Sequence, residues 1–411
     1  MHNNIISLFR IPGYRVVDVQ IAGEEIIVSV RKRSKTARCP KCHRRTKKLK
    51  DYLHESKILH MTLCNQRIYL KLKKRRFICV SCHKSFTEMI PFLPFRSRST
   101  IYAQRHALER LTDTSFSATT KRLNLSYGVL VRLLEKVFTL SSIDWLGQQV
   151  NGVIRLGIDE HHFGKRNKYL VTIANLMTGK PIHILPNDQK KTLVAFLNQL
   201  PDDIRGSIEE VAVDMKTTFI HAVAQTLPNA HIVIDHFHVI QDANMRVAES
   251  RRIEQDVQEK VKGNYPKEIN GRLLSRNRED LKGRQVNLVD AYLKRYPAVL
   301  IFYACKEKLR DMYKSGSRKE AEEKLTTLIL FMKTSEYPEL WRWARTLKIY
   351  QEYILNYFDN HTTNATTEGL HRKFKLIQRT AYGFRNPEVY ARRILLACLP
   401  LSLLNLPHLL T

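Results

Sequence analysis

Three carboxylates that follow apolar segments could do chemistry together. Asp159 ends an apolar run, Asp214 follows the largely apolar stretch "IEEVAV", and Asp235 follows "HIVI". Either each strand has simply reached solvent, or the carboxylates converge on a ligand. Carboxylates that lie close together repel one another, and a divalent cation between them relieves that repulsion. Oxygen ligands favour Mg2+ or Mn2+, and two such ions roughly 3.5–4 Å apart activate water or a 3′-hydroxyl in phosphodiester chemistry.

The segments around these acids predict a mixed α/β sheet that would bring them together. Residues 153–185 predict an antiparallel meander of three strands, with Asp159 on the first strand. Residues 208–235 predict a β-α-β unit, in which two buried parallel strands flank an amphipathic helix. Because the ligands of parallel sheets gather beyond the carboxyl ends of the strands, we expect Asp159, Asp214 and Asp235 at one edge.

A further acid, Glu368, lies in the first turns of a helix that residues 364–386 predict. A helix packed on the edge of the sheet would add this carboxylate to the others. Glu352 and Glu388 are rival candidates for the same role. A glutamate on a solvated helix face, with partners four residues away, is the simpler interpretation of Glu368.

Two C-x-x-C pairs predict a structural zinc site. The pairs are Cys39 with Cys42 and Cys79 with Cys82. Each pair can place two thiolates on one tight knuckle, and two knuckles complete a tetrahedral Zn2+ site. Coincidental pairs or a redox dithiol are the alternatives. His43 and His83 each follow a knuckle cysteine and could replace a ligand, although four thiolates already fill the site.

Basic segments near the cysteines and in residues 100–140 predict contacts with DNA phosphates. Residues 31–50 contain no acidic residue, and residues 100–140 predict three short helices that resemble a helix-turn-helix. A solvated charged loop and an ordinary three-helix bundle are the alternatives. The candidate DNA contacts are Arg44, Arg45, Lys47, Lys48, Lys121, Arg122 and Arg132, together with Arg372 and Lys375 on the predicted glutamate helix.

Composition favours a multidomain protein with a polyanionic partner. The 411 residues carry a formal net charge of +30, and 43% of them are hydrophobic. This positive charge favours nucleic acid, although ribosome-associated and membrane-surface proteins share it. The first residues lack a long apolar segment, and Pro400, Asn405 and Pro407 interrupt the apolar tail, so we expect neither a secretory signal nor a membrane span. The lone cysteines, expected in the core, are Cys64, Cys305 and Cys398.

Four blocks of the sequence resemble the DDE transposases of bacterial insertion sequences, specifically the ISL-three family. The blocks are "GIDEHHFGKRNKYLVTIANLMTGK", "VAVDM", "VIDHFHVI" and "NATTEGLHRKFKLIQRTAYGFRN", and they occur in the expected order. Members of that family also carry an N-terminal zinc ribbon with paired C-x-x-C motifs and a helix-turn-helix, so the resemblance spans nearly the whole chain. The sequence departs from the family's usual residues at "NATTEG" and at Lys216 and Thr217.

The resemblance implies a ribonuclease-H-like α/β catalytic core, a mixed sheet with a long helical insertion, preceded by a β/zinc-ribbon module and a helix-turn-helix module. Asp159, Asp214 and Glu368 match the family's catalytic acids and would hold Mg2+ or Mn2+. Asp235 and His238 match its D-x-F-H strand end and would support the site. The implied domains are 1–93 for the N-terminal strands and zinc ribbon, 94–145 for the helix-turn-helix, 146–240 and 356–411 for the two parts of the core, and 241–355 for the insertion.

The function that the resemblance implies is DNA transposition. The protein would bind the terminal inverted repeats of an insertion sequence, cleave a strand with a metal ion and join the 3′-hydroxyl to target DNA. Such a protein would act on double-stranded DNA as a homodimer or higher assembly, in the bacterial cytoplasm with the nucleoid. The alternatives are a non-catalytic zinc-containing DNA-binding regulator derived from such a transposase, and a general metal nuclease or RNA-processing hydrolase.

Overall fold

The computed structural model describes residues 11–63, 65–138, 146–163, 169–263 and 268–399. The chain divides into two compact units, one drawn from Met1–Asp144 and Leu376–Thr411 and the other from Trp145–Lys375. This division differs from the implied boundaries, because the residues after Lys375 group with the N-terminal residues and not with the central sheet. Cys64 and the apolar tail from residue 400 onward lie outside the described residues.

Short and long strands fill the first part of the chain. They are β1 (Tyr14–Ala22), β2 (Glu25–Lys32), β3 (Ala37–Arg38), β4 (Arg45–Thr46), β5 (Leu49–Tyr52), β6 (Ser56–Leu63), β7 (Gln66–Leu72), β8 (Arg75–Ile78) and β9 (Ser85–Thr87). The long strands form a four-stranded sheet of order β1-β2-β7-β6, whose inner face buries Val28, Ile68 and Leu70 against Phe92. The short strands form a β3-β4 pair and a β5-β8-β9 sheet, and these carry the cysteines.

Three helices follow at the positions that the sequence predicts. They are α1 (Ile101–Asp113), α2 (Phe116–Leu123) and α3 (Tyr127–Val137). Thr100 and Ser115 cap the first two helices, because their side chains accept the N–H groups of Ala103 and Ala118. Asn124 adopts a left-handed conformation, with φ of 52°, and makes the turn between α2 and α3.

The second unit is built on a five-stranded mixed sheet. Its elements are β10 (Ile154–His162), β11 (Tyr169–Asn175), β12 (Lys180–Leu185), α4 (Lys190–Asn198), α5 (Asp202–Ser207), β13 (Ile208–Val213), α6 (Thr217–Thr226) and β14 (His231–Ile234). The strand order is β12-β11-β10-β13-β14. β12, β11 and β10 pair antiparallel, whereas β10, β13 and β14 pair parallel. The predicted meander and β-α-β unit are therefore confirmed.

A helical segment separates this sheet from the helix that carries Glu368. Its helices are α7 (His236–Lys262), α8 (Gly271–Ser275), α9 (Arg284–Arg295), α10 (Pro297–Met312), α11 (Arg318–Lys333) and α12 (Pro338–Leu355). The helical character predicted for residues 241–355 is confirmed, but α7 already begins at His236, directly after β14. Inside this segment the buried Lys306 Nζ donates to the carbonyl oxygens of Leu274 and Arg276, at 2.8 and 2.9 Å.

The last helices are α13 (Tyr357–Asn360), α14 (Ala365–Thr380) and α15 (Pro387–Cys398). α15 packs against α1 and α3. The buried Arg393 of α15 donates to the carbonyl oxygens of Thr112 and Thr114, at 3.1 and 3.2 Å. It thereby satisfies carbonyl groups at the C-terminal end of α1. Within the described ranges, none of the helices combines the length and apolarity that a membrane crossing requires.

Candidate metal centres

The four predicted zinc cysteines converge in the structure. Sγ of Cys39 lies 3.6 Å from Sγ of Cys82, and Sγ of Cys42 lies 3.4 Å from Sγ of Cys79. All four sulfur atoms lie within 4.8 Å of one another. Tetrahedral Zn–S bonds place sulfur atoms about 3.8 Å apart, whereas a disulfide needs about 2.05 Å. The cluster therefore has the chemistry and the size of a structural zinc site.

The two knuckles share one backbone geometry. In the first, the N–H of Cys39 donates to the carbonyl of Arg44 at 2.9 Å, and the N–H of His43 donates to the carbonyl of Cys39 at 3.0 Å. The second repeats both bonds at 2.9 Å with Cys79, Lys84 and His83. Both histidines have positive φ, at 58° and 55°. They therefore shape the turns, and neither belongs to the four-sulfur cluster.

The knuckle backbone also favours the thiolate form of the first cysteine in each pair. The N–H of Cys42 is the main cause of a lowered pKa at Cys39. The N–H of Cys82 is the main cause that lowers the pKa of Cys79 to about 6. Since zinc binds the thiolate and not the thiol, these N–H groups favour the metal-binding form of both residues.

The predicted acids converge at the edge of the second unit's sheet. Ile158 pairs with Val213, and Val213 pairs with Ile234. The residues that follow these three, Asp159, Asp214 and Asp235, therefore stand next to one another across three neighbouring strands. This arrangement is the one that the parallel β-α-β interpretation predicts.

Two histidine-linked groups make up this acidic cluster. Ligand atoms of Asp159, Asp214 and His238 lie within 4.8 Å of one another, and so do those of Asp235, His238 and Glu368. His238, in the first turn of α7, belongs to both groups, and its Nε2 lies 2.8 Å from Oδ1 of Asp214. The structure thus brings Glu368 to the cluster through Asp235 and His238. Asp159, Asp214 and Glu368 do not form one group at that spacing.

The electrostatics of the cluster favour a bound cation. Burial, followed by the charge of Asp214, raises the pKa of Asp159 to about 7. Burial alone would lower the pKa of His238, but its contact with Asp214 and the surrounding carboxylates raise that pKa to about 9. Oδ1 of Asp235 is buried and lies 3.3 Å from Nδ1 of the neighbouring His236. Crowded carboxylates of this kind fit Mg2+ or Mn2+.

A lysine forms ion pairs with two acids that lie near the cluster but do not belong to it. Nζ of Lys216 contacts Oε1 of Glu160 and lies 2.7 Å from Oδ2 of Asp188. Its charge neutralises Glu160, although Glu160 follows Asp159 directly in the chain. Lys216 therefore offsets the negative charge of Glu160 and Asp188, and the carboxylates of the cluster keep theirs.

A glycine lets the glutamate helix approach the central strand. A Cβ atom at Gly157 of β10 would lie 2.4 Å from Oδ1 of Asn364 and 2.8 Å from Oγ1 of Thr367. Nδ2 of Asn364 donates to the carbonyl oxygens of Ile158 and Ala212, at 3.3 and 3.4 Å. These contacts fix the first turn of α14, in which Glu368 lies. Sequence reasoning missed Gly157 and Asn364, although a glycine inside an apolar strand signals a close backbone approach.

A buried histidine links the same helix to Asp159. His371 lies three residues after Glu368, and its Nδ1 is 3.4 Å from Oδ2 of Asp159. Its Nε2 bonds to Oγ1 of Thr172 on β11 at 3.0 Å. Burial is the main cause that lowers the pKa of His371 to about 3, so the ring is neutral and can both donate and accept. Sequence reasoning missed this residue as well.

The predicted DNA contacts lie on the surface, and the rival glutamates lie elsewhere. The exposed residues are Arg44, Arg45, Lys47, Lys48, Lys121, Arg122, Arg132, Arg372 and Lys375. Arg122 also donates to Oδ1 of Asn65 at 2.7 Å. Glu352 pairs with Arg318, and Glu388 pairs with Arg392. Neither glutamate belongs to a metal-type cluster among the described residues.

Comparisons with known proteins show to which transposases this chain is similar. The ISL3 (ISL-three) family model, described as a transposase, matches residues 156–394, more than half of the chain. A second model, described as the zinc-finger of transposase IS204/IS1001/IS1096/IS1165, matches residues 35–82. The transposase for insertion sequence element IS1001 from Bordetella parapertussis is 24% identical over 380 residues, which cover 90% of this chain and 91% of the relative. The transposase for insertion sequence element IS1557 from Mycobacterium tuberculosis is 25% identical over 256 residues, 57% of each chain.

Proposed function

Because this chain belongs to the ISL3 family of transposases, we propose that it moves an insertion sequence by DDE-type chemistry on DNA. It would bind the terminal inverted repeats, cleave a DNA strand by hydrolysis and join the resulting 3′-hydroxyl to target DNA. The observation that carries this proposal is the cluster in which Asp159, Asp214, Asp235, His238 and Glu368 meet at one sheet edge. A partly buried acidic cluster of this kind, in a chain with a formal net charge of +30, suits metal-dependent phosphodiester chemistry.

In this proposal Asp159, Asp214 and Glu368 are the catalytic metal ligands. Mg2+ or Mn2+ bound there would supply the Lewis acidity that activates water and then the 3′-hydroxyl. Asp235 and His238 complete the cluster and orient its carboxylates. His371 holds Asp159 from the side of the glutamate helix. Lys216 keeps the adjacent Glu160 out of the metal site.

The strand order supports a ribonuclease-H-like catalytic domain. Three antiparallel strands followed by two parallel strands, in the order β12-β11-β10-β13-β14, agree with the fold that the resemblance implies. The helices α7 to α12 would then be an insertion between the second acid and the glutamate helix. We assign the two parts of the core to residues 146–240 and 356–411, in keeping with the family model, which matches residues 156–394.

The N-terminal unit would recognise the DNA ends. We assign residues 1–93 to the zinc-ribbon module and 94–145 to a helix-turn-helix, in which α2 and α3 carry Lys121, Arg122 and Arg132. The exposed cations of the first knuckle, among them Arg44 and Lys47, would contact phosphates. Because two ends must be held together for transposition, a homodimer or higher assembly is expected on DNA.

The test compares Asp159→Asn with the wild type on DNA that flanks the coding region. We expect Mn2+- or Mg2+-dependent cleavage and strand-transfer product from the wild type, and roughly a thousandfold less of both from the variant. Asp203→Asn, which alters an exposed aspartate of α5 outside the cluster, is the matched control and should retain activity. Both variants should bind the DNA as the wild type does.

The outcomes separate the competing functions. Equal cleavage by the wild type and Asp159→Asn would contradict the proposal. End binding by the wild type without any cleavage under varied metal conditions would favour the non-catalytic regulator. Cleavage without strand-transfer product would favour a general metal nuclease.

A further inference from the structure

The segment that joins α14 to α15 presents one aromatic ring fully to solvent. Tyr382 is 99% exposed, and the next most exposed of the described large apolar side chains is Phe95, at 90%. The phenol ring of Tyr382 has no ring contact or hydrogen bond among the described residues. Its presence therefore adds no packing energy to the fold.

Tyr382 also occupies a backbone position that suits glycine. The N–H of Gly383 donates to the carbonyl of Gln378 at 2.9 Å, and the N–H of Tyr382 donates to the carbonyl of Arg379 at 3.0 Å. These two bonds form a Schellman motif, whose left-handed residue is here Tyr382, with φ of 55°. A side chain with a Cβ atom costs free energy in this conformation, and glycine does not. Stability alone therefore disfavours tyrosine at this site.

The segment is anchored at the helices that we assign to DNA recognition. The ring of Phe384 lies 6.4 Å from that of Phe116, the first residue of α2, and 4.9 Å from that of Tyr390. The ring of Phe116 in turn lies 5.1 Å from that of Tyr127, the first residue of α3. Tyr382 therefore lies two residues before Phe384, whose ring contacts the first residue of α2.

The chain on either side of Tyr382 is rich in cationic residues. Residues 369–387 contain Arg372, Lys373, Lys375, Arg379 and Arg385 but no aspartate or glutamate. Arg379 and Arg385, which lie on either side of Tyr382 in the chain, are exposed. Cations of this kind hold DNA phosphates, and an aromatic ring stacks on the faces of bases.

We propose that Tyr382 is a DNA contact that stacks its ring on a base displaced from regular stacking in the bound DNA. This inference rests on the proposed function, because it requires DNA on the N-terminal unit. Aromatic and apolar side chains that enter DNA do so at unstacked or kinked steps, and each stacked base adds affinity. A base partner explains why a strained, solvent-exposed position between two arginines carries an aromatic ring.

The test measures folding and DNA binding in the same full-length, zinc-loaded variants. Tyr382→Gly removes the ring and the backbone strain, and Tyr382→Phe keeps the ring and removes only the hydroxyl. The probe is a fluorescein-labelled duplex of the DNA flanking the coding region, with 2-aminopurine placed in turn at positions near the end of the element. We expect Tyr382→Gly to raise Tm by about 2 °C while it weakens binding about tenfold. Tyr382→Phe should match the wild type in both measurements.

The salt dependence of binding separates a base contact from a phosphate contact. Loss of a phosphate contact reduces the slope of log K against log salt by about one, whereas loss of stacking leaves it unchanged. Tyr382→Gly should keep the wild-type slope, and Arg385→Ala should reduce it. The 2-aminopurine fluorescence, which rises when a base unstacks, should change on binding of the wild type and not on binding of Tyr382→Gly.

Several results would overturn the inference. Wild-type affinity in Tyr382→Gly would remove any role of the ring in DNA binding. Equal losses in the Phe and Gly variants would assign the contact to the hydroxyl. If the wild type itself neither binds nor cuts the flanking duplex, the proposed function fails first, and that failure is distinct from an effect of Tyr382.

Discussion

The two candidate metal centres of this protein are assembled in opposite ways. The zinc site consists of two knuckles with the same spacing, the same backbone hydrogen bonds and the same left-handed residue. Each knuckle is complete within six residues of sequence. The acidic cluster takes its groups from the interior of β10, from the residues that follow β13 and β14, and from the first turns of two helices, over the span from Asp159 to Glu368. One centre is encoded locally, and the other exists only when the whole sheet and its covering helix have formed.

This difference determines how each centre responds to mutation. A zinc ligand should contribute folding energy directly, because a bound zinc ion would hold the small β3-β4 and β5-β8-β9 sheets together. The acidic cluster instead lies on the five-stranded sheet, whose strands are joined by backbone pairing, and its carboxylates repel one another. Damage to the first centre should unfold its surroundings, whereas damage to the second should change metal affinity more than it changes the fold.

The largest effect is expected from Cys79→Ser. Loss of one thiolate should release the zinc ion, since a structural zinc site contributes about 10–16 kcal/mol in small zinc domains. Zinc analysis should fall from one ion per chain to near zero, and hydrogen exchange should show an opened β5-β8-β9 sheet. Mn2+ binding at the acidic cluster should remain at the wild-type level.

His83→Gly is the matched control for that experiment. Its left-handed conformation, with φ of 55°, suits glycine, so zinc content should be retained. Zinc loss in His83→Gly would show that the histidine is a ligand. Full zinc content in Cys79→Ser would contradict the four-cysteine site.

An intermediate effect is expected from Gly157→Ala. The added Cβ would meet Oδ1 of Asn364 at 2.4 Å and the side chain of Leu176 at 2.6 Å, so α14 must move away from β10. Overpacking of this kind costs about 2 kcal/mol of unfolding free energy. Because Glu368 moves with the helix, Mn2+ affinity measured by titration should fall by roughly tenfold, the lower end of the range for residues that support metal ligands. Zinc content should not change.

Gly206→Ala provides the comparison. A Cβ at Gly206 in α5 meets no atom within 4 Å, so this change should leave Mn2+ affinity unaltered and should not destabilise the protein. Unchanged stability and Mn2+ affinity in Gly157→Ala would mean that the close approach of α14 does not position Glu368.

The same difference explains what could be predicted from the sequence. The cysteine pairs were visible because their spacing alone fixes a knuckle. The aspartates were visible because apolar segments lead into them, and a β-α-β pattern implies that such positions share an edge, although β10 continues past Asp159 to His162. By contrast, Asn364 contacts residues 206 and 152 positions away, and His371 contacts Thr172 across 199 positions. No local pattern specifies such contacts.

The placement of α15 shows a related limit. Its apolar face predicts a buried helix but does not say which surface the helix covers. The structure places Arg393 against the carbonyl oxygens of Thr112 and Thr114, 281 and 279 positions earlier in the chain. The implied domain of residues 356–411 therefore spans both compact units, and only the tertiary contact shows which unit receives α15.

The smallest combined effect is expected at His371, which contacts Asp159 without belonging to the cluster, because its loss lowers metal affinity without overpacking the core. Replacing the ring by alanine removes the contact with Asp159 at 3.4 Å and the bond with Thr172 at 3.0 Å. Loss of such a support costs roughly tenfold in metal affinity, so His371→Ala should weaken Mn2+ binding by about that factor with zinc unchanged. Thr172→Val keeps the shape of the buried residue and removes only the far partner, so its effect should be smaller.

A double-mutant cycle then decides whether His371 acts through this chain of contacts. If Thr172 orients the ring and the ring orients Asp159, the loss in Thr172→Val should disappear when His371 is already alanine. Additive losses in Mn2+ affinity would contradict that route. Wild-type Mn2+ affinity in a stably folded His371→Ala variant would show that Asp159 needs no support from the glutamate helix. The two centres would then differ only in where their ligands lie in the sequence, and not in their need for supporting residues.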